Sequence, residues 1–251
     1  MTATMQDDTI LVTRDGAVAT VTLNRPAKLN ALTKAMWRGL GEAIGHLSDE
    51  VDLRCVIIRG AGERAFSPGN DIGEFARERS NKTQGREYGA TMHAAAHALD
   101  ACPIPLVAQI HGICVGGGLE IAALCDVRIC GESSRFGAPV KNLGLVMAYP
   151  EMAPLVRLVG SCVALEILLE GRIFGAAEAK EKGLVTRVVA DAEVAAEVAA
   201  TAARIPEGAP LTARWHKNAL SRRATPAHHP HAPAGRCSER AGPRRVRLGP
   251  R

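Results

Sequence analysis

The stretch Ile110 to Asp126, IHGICVGGGLEIAALCD, decides the fold. It begins as the end of an apolar strand read from Pro105 to Ile110, passes through a turn, and opens a helix on Gly116, Gly117 and Gly118. Each glycine weakens a helix by about 1 kcal/mol relative to alanine, so their clustering calls for a reason. One is access: without a Cβ, a ligand atom can reach the free N–H groups of a helix start, which carry roughly half a positive charge. The other is close packing of the helix on its strand. A phosphate loop would place Lys and Ser/Thr after the last glycine. Here Leu119 and Glu120 follow, and the glycine spacing does not match a dinucleotide fingerprint. A carboxylate in the first turn would repel phosphate and suits a proton carrier.

Upstream, residues 10–12 and 17–23 read as strands joined around Asp15-Gly16, a hairpin signal. A polar loop, Asn24 to Asn30, leads to Thr33, which can cap a helix carrying Met36, Leu40, Ile44 and Leu47 at helical spacing. Leu53 to Arg59 reads as a buried strand, and Ala65 to Ile72 (AFSPGNDI) as a second small-residue turn after a strand. Such turns commonly carry function through unpaired backbone N–H groups. Residues 73–88 are charged and patternless, a mobile loop or frayed helix, before a helix from Ala90 to Leu99.

Downstream come a strand (Val127 to Cys130), the segment SRFGAP (134–139), and a helix from Pro150 toward Val159 with Glu151 near its positive end. Helices at Val163 to Glu170 and Ala176 to Lys182, a strand at Leu184 to Val189 and a helix over 192–204 follow. The alternation of strands and helices predicts an α/β architecture. Leu211 to Leu220 can form a last helix anchored by Trp215. The expected organisation is a core over residues 1–204, a partial helical region over 205–221 and a disordered tail over 222–251.

Composition narrows the function. The hydrophobic content of 47% supplies a core from Ala, Val, Leu and Ile, since only eight residues are aromatic. Neither a signal peptide nor an apolar run near 18 residues is apparent, so a cytoplasmic protein without membrane insertion is expected. Seven cysteines occur singly, without a CxxC pair or metal-ligand spacing. They read as small buried hydrophobes, with a catalytic thiol at Cys114 the lesser alternative. The net charge of +5 resides in the tail: residues 222–251 hold eight arginines against one acid, Glu239, while residues 1–221 carry 23 basic and 25 acidic side chains. The body therefore lacks a nucleic-acid footprint. The tail's five prolines and three histidines (228, 229, 231) describe a solvated segment rather than a metal site.

Together, NRPAKLNAL (24–32), RAFSPGNDI (64–72), HGICVGGGLEIAALCD (111–126) and SRFGAP (134–139) resemble the crotonase, or enoyl-CoA hydratase/isomerase, family over roughly residues 10 to 220. The resemblance implies a spiral of strand–strand–helix units and a trimer or dimer of trimers. It also implies an acyl-CoA substrate whose thioester oxygen becomes an enolate, with coenzyme A entering as part of the substrate and no separate cofactor or metal. By motif position, the backbone N–H groups of Asn70 and Gly117 would form the oxyanion hole, and Glu120 would be one of two catalytic glutamates. Lys28, Leu29, Ala65, Ser67, Asp71, Ile72 and Gly116 would lie along the CoA and acyl moieties, with Asp71 alternatively a turn or helix cap.

This chain departs from the family pattern twice. The second glutamate position, after the proline of the FGxP segment, is Val140, which cannot carry a proton; Glu151 is the substitute to examine, beside Lys141 and Tyr149. The expected reaction is hydration of a 2-enoyl-CoA through Glu120. Isomerisation or another single-base enolate reaction is the alternative, as is a catalytically weak acyl-CoA-binding or scaffold protein whose basic tail contacts an acidic partner. Nothing after Ser221 resembles the family's closing helices, which reads as a shifted frame or a truncation.

Overall fold

The computed structural model describes residues 8–224. In chain order the elements are β1 (Ile10–Asp15), β2 (Val18–Leu23), α1 (Lys34–Ser48), β3 (Cys55–Gly60), β4 (Ala65–Ser67), α2 (Phe75–Glu78) and α3 (Lys82–Ala101). Then come β5 (Leu106–Ile110), β6 (Ile113–Val115), α4 (Gly117–Leu124), β7 (Val127–Gly131), β8 (Arg135–Gly137) and α5 (Tyr149–Glu170). The chain continues through β9 (Phe174–Gly175), α6 (Ala176–Glu181), β10 (Arg187–Val189), α7 (Val194–Arg204) and α8 (Pro210–Ala224).

The first hairpin forms as its turn signal predicts, with Asp15 opposite Val18 and Gly16 at φ 56°. From β2 onward the large sheet is parallel, in the order β1-β2-β3-β5-β7-β10. Both faces are covered, as parallel sheets require. Val56, Ile58, Leu106 and Ala108 face the main core with α1 and α3, while Cys55, Val107 and Ile129 pack under Val194, Val198 and Ala202 of α7. The Thr33 hydroxyl caps α1 by accepting from Met36 N–H, and Met36, Trp37, Leu40, Ile44 and Leu47 form its buried stripe. Burial of each such side chain contributes about 1.5–3 kcal/mol.

A smaller sheet runs β4-β6-β8-β9. The chain repeats one path three times: a strand of the large sheet, a short strand of the small sheet, then a helix (β3, β4, α3; β5, β6, α4; β7, β8, α5). Because β4, β6 and β8 are parallel neighbours, the turns that leave them emerge side by side. That arrangement creates the site.

Several expectations are corrected. Residues 73–88 are mostly helical: after α2 and a bend at 79–81, α3 begins at Lys82, where the Asn81 side chain accepts from Gln84 N–H. Tyr88 is fully buried and edge-on to Phe75, with the Arg79 guanidinium over both rings. The charges that obscured the pattern sit on the outer face. The turn read at 111–116 and the unassigned segment at 134–137 contain β6 and β8, strands too short to show alternation. Trp215 is no anchor, being 73% exposed; α8 is held by its cations, Arg214 to the Glu50 and Leu53 carbonyls and Lys217 to Asp126 and the Ile104 carbonyl. That helix continues to Ala224, past the boundary expected at Ser221. One helix, α5, is long and apolar enough to span a bilayer, although no such run was apparent from the sequence; it is broken at Gly160, with φ 75° and ψ 164°. The remainder of the tail and its histidines lie outside the described residues.

Candidate active site

The first motif builds the floor of the site. Leu29 and Asn30 both adopt left-handed conformations, at φ 52° and 62°, which side chains other than glycine rarely accept. Asn30 holds them by accepting from Arg25 N–H and donating to the carbonyls of Ala61 and Ala65. Its own carbonyl accepts from the Ser67 hydroxyl at 2.9 Å. Lys28 is exposed and Leu29 half-buried beside it.

The second turn is fixed by its peptides. Gly69 C=O accepts from Leu32 N–H at 2.8 Å, and Asp71 N–H donates back to Leu32 C=O at 2.8 Å. In a trans peptide C=O and N–H point oppositely, so the Gly69–Asn70 peptide directs its N–H away from Leu32. Gly69, at φ 94°, lies so close that a Cβ would approach Gly117 N to 2.7 Å. Asp71 accepts from Gly73 N–H and pairs with Arg25 at 3.0 Å, so its carboxylate serves as cap and tether. Ala65 and Ser67 are buried behind the turn, and Ile72 is 54% exposed at its rim.

The third motif forms the adjoining wall. Gly116 N–H donates to Gly137 C=O, and Gly116 C=O accepts from Glu120 N–H at 3.0 Å. That carbonyl aims into α4, so Gly117 N–H points out of the helix start. Among the described residues, the loop and cap hydrogen bonds include neither the Asn70 nor the Gly117 N–H as donor. A cleft of about 270 Å³ opens between these turns, walled by Pro68, Asn70, Gly116, Gly117 and, from the β8 exit, Val140 and Leu143. Val140 thus stands where the sequence placed it, presenting an apolar wall.

Glu120 lies one helical turn after Gly116 and is 4% exposed. Its Oε1 finds no hydrogen-bond partner among the described residues. Burial, reinforced by the negative charge of Glu151, pushes its pKa up to about 8. A buried carboxyl left unsatisfied is costly in a purely structural role and fits proton transfer. Glu151 is held at the start of α5, its Oε2 accepting from Ala148 N–H and its Oε1 3.3 Å from His93 Nε2. Its side chain is half-buried, and its charge is felt at Glu120. Cys114 is fully buried and its thiol is pushed well above its ordinary range by desolvation, which opposes a nucleophilic role. Among the described residues no His/Cys/Asp/Glu group could hold a metal.

Trp37, Met92 and His93 were not anticipated. Trp37 falls beside the stripe read from Met36, and the only available signal was a large indole on an otherwise aliphatic helix face.

Comparison with known proteins agrees with this architecture. The family model described as enoyl-CoA hydratase/isomerase matches residues 13–236. The short-chain-enoyl-CoA hydratase of Clostridium acetobutylicum is 33% identical over 218 residues, covering 87% of this chain and 83% of that protein. The crotonyl-CoA hydratase of Syntrophomonas wolfei is 31% identical over 217 residues, covering 86% and 83%. Among solved structures, an enoyl-CoA hydratase/carnithine racemase from Magnetospirillum magneticum is 51% identical with a TM-score of 0.86, covering 88% of this chain and 83% of that one. The enoyl-CoA hydratase of Bacillus anthracis is 33% identical with a TM-score of 0.80, covering 85% and 82%. The fold is that of these crotonase-type enzymes, and the chain belongs to the enoyl-CoA hydratase/isomerase family.

Proposed function

We propose that the chain hydrates a 2-enoyl-CoA, with Glu120 as the acid/base and the N–H groups of Asn70 and Gly117 as the oxyanion hole. The observation carrying this reading is the buried, unpartnered carboxyl of Glu120 one helical turn from Gly117, which lines a cleft together with Asn70. Water adds its oxygen at C3 while Glu120, in the ionised form that it reaches as pH approaches 8, takes a water proton. The thioester oxygen gains the charge and is held by the two N–H groups, each worth about 3–4 kcal/mol to such a transition state. A proton then returns to C2, from Glu120 or from Glu151, and the enolate collapses to the 3-hydroxyacyl thioester. Ile72 lines the cleft, and with Lys28 and Leu29 it would lie along the CoA portion. Coenzyme A arrives as part of the substrate, and no further cofactor is required.

The apolar residues that α5 leaves exposed, Val156, Leu165 and Leu169, support a homotrimer or dimer of trimers. The buried, unpaired cysteines among the described residues support a reducing, cytoplasmic setting.

Val140 favours a second reading, a single-base enolate reaction such as double-bond isomerisation. Loss of the conjugated enoyl-thioester absorbance on adding crotonyl-CoA, followed beside Glu120→Gln, separates the two. Hydration through Glu120 removes the absorbance in the wild type and slows by about 10²–10⁴ in the variant. Binding of the thioester without consumption of the chromophore overturns hydration.

A further inference from the structure

Asn70 and Gly117 belong to different strand exits, so their separation depends on whatever touches both. We infer that Trp37 is the positioning residue of the oxyanion hole, its single indole ring fixing the Asn70 turn through a hydrogen bond and the Gly117 helix start through contact. This inference rests on the oxyanion reading proposed above and extends it to a residue outside the four motifs.

Trp37 is completely buried, and its Nε1–H donates to Asn70 Oδ1 at 2.7 Å. An indole N–H can only donate, so this bond fixes which end of the Asn70 amide faces it. The other end, Nδ2, donates to Met92 Sδ at 3.6 Å on α3. The Asn70 side chain is thereby clamped from two helices, and the residue whose N–H would hold the enolate cannot rotate independently of them. Two bonds along the same edge of the ring, Cζ2 lies 2.9 Å from the position a Cβ would take on Gly117. One edge of the ring therefore meets both Asn70 and Gly117, and glycine at 117 permits that contact.

The helix carrying the indole is itself rigidly seated. A Cβ on Gly41 would come within 3.2 Å of the Ala95 Cα, so α1 lies nearly backbone to backbone against α3. Movement of α1 would displace both donors. No other side chain among the described residues both bonds the Asn70 amide and abuts Gly117.

The test uses the full-length protein and its Trp37→Phe, Asn70→Ala and double variants. One assay is turnover of crotonyl-CoA. The other is the absorbance of a bound 4-dimethylaminocinnamoyl-CoA, whose band moves to longer wavelength as its thioester carbonyl is polarised. Trp37→Phe keeps the ring and removes the donor. The expected result is a kcat lowered about 10- to 100-fold, a share of the roughly 10²–10³ that loss of a whole oxyanion donor costs. KM should change by less than about twofold, and the red shift should shrink. Asn70→Ala should do the same, and the double variant should be no worse than either. Wild-type kcat and an undiminished red shift in Trp37→Phe overturn the positioning role alone, as do losses that multiply in the double variant. A wild-type protein that binds the chromophore without any shift overturns the oxyanion hole, and the positioning role falls with it.

Discussion

The Ser67 hydroxyl joins two motifs that are distant in sequence: it donates to the Asn30 carbonyl at 2.9 Å and accepts from Gly69 N–H at 3.1 Å. Through this one oxygen the left-handed turn at Leu29 and Asn30 sets the height of the turn that carries Asn70. The polar first motif, which reads on its own as a loop rich in donors, supports the turn that carries Asn70.

Replacing Asn30 should therefore damage both stability and the site. Asn30→Ala leaves the Ala65 carbonyl and the Arg25 N–H without their side-chain partners and keeps a Cβ in the left-handed region. The expected loss is about 2–4 kcal/mol, read as a lowered denaturant midpoint at unchanged slope. A loss below about 0.5 kcal/mol would show that solvent replaces these bonds.

The glycines of the central stretch are not equivalent to those elsewhere. At Gly118 an added Cβ would lie 2.2 Å from the Ser67 carbonyl oxygen, a backbone atom that cannot swing away, whereas at Gly45, on the exposed side of α1, it meets nothing within 4 Å. Gly118→Ala should cost about 1–3 kcal/mol. Gly45→Ala should gain about 0.5–1 kcal/mol from helix propensity and the unfolded chain's reduced freedom. Thermal melts of the two variants should move in opposite directions.

Glu120 should make stability depend on pH. Between its ordinary value of 4.5 and about 8, the folded carboxyl keeps its proton while the unfolded one has lost it. The native state then binds more protons than the unfolded state, and stability falls as pH rises through that window. The full loss is on the order of 3–5 kcal/mol, and Glu120→Gln should abolish it. Denaturation midpoints of both proteins at pH 5 and 8 check this; parallel curves would mean that Glu120 is ionised in the fold.

Glu151 has a structural task, closing the first turn of α5, and a position within electrostatic reach of Glu120. If it also carries a proton to C2, Glu151→Gln should slow hydration by about 10²-fold. The same change should lower the Glu120 pKa only partly, because burial is the larger cause of its elevation. Turnover near the wild-type value would leave Glu151 a helix cap alone.

The sequence by itself determined the hairpin, the capped α1, the buried strands β3, β5 and β7 and the glycine-led α4, because each rests on local signals: turn residues, a side-chain cap and the run or period of apolar positions. It also singled out the two small-residue turns and Glu120, which the fold brings to one region because β4 and β6 are neighbours. Only the tertiary structure decided that α3 starts at Lys82, since its charged first turns are stabilised by Tyr88 packing on Phe75 rather than by an apolar stripe. Tertiary structure likewise seated α8 through Lys217 and Arg214 in place of Trp215, because a cation reaching a distant carbonyl leaves no periodic trace. The same holds at the site. The pairing of β4 with β6 sets Asn70 beside Gly117, and buried contacts of Trp37 bind the two turns together, contacts between residues whose separation along the chain carries no local signal.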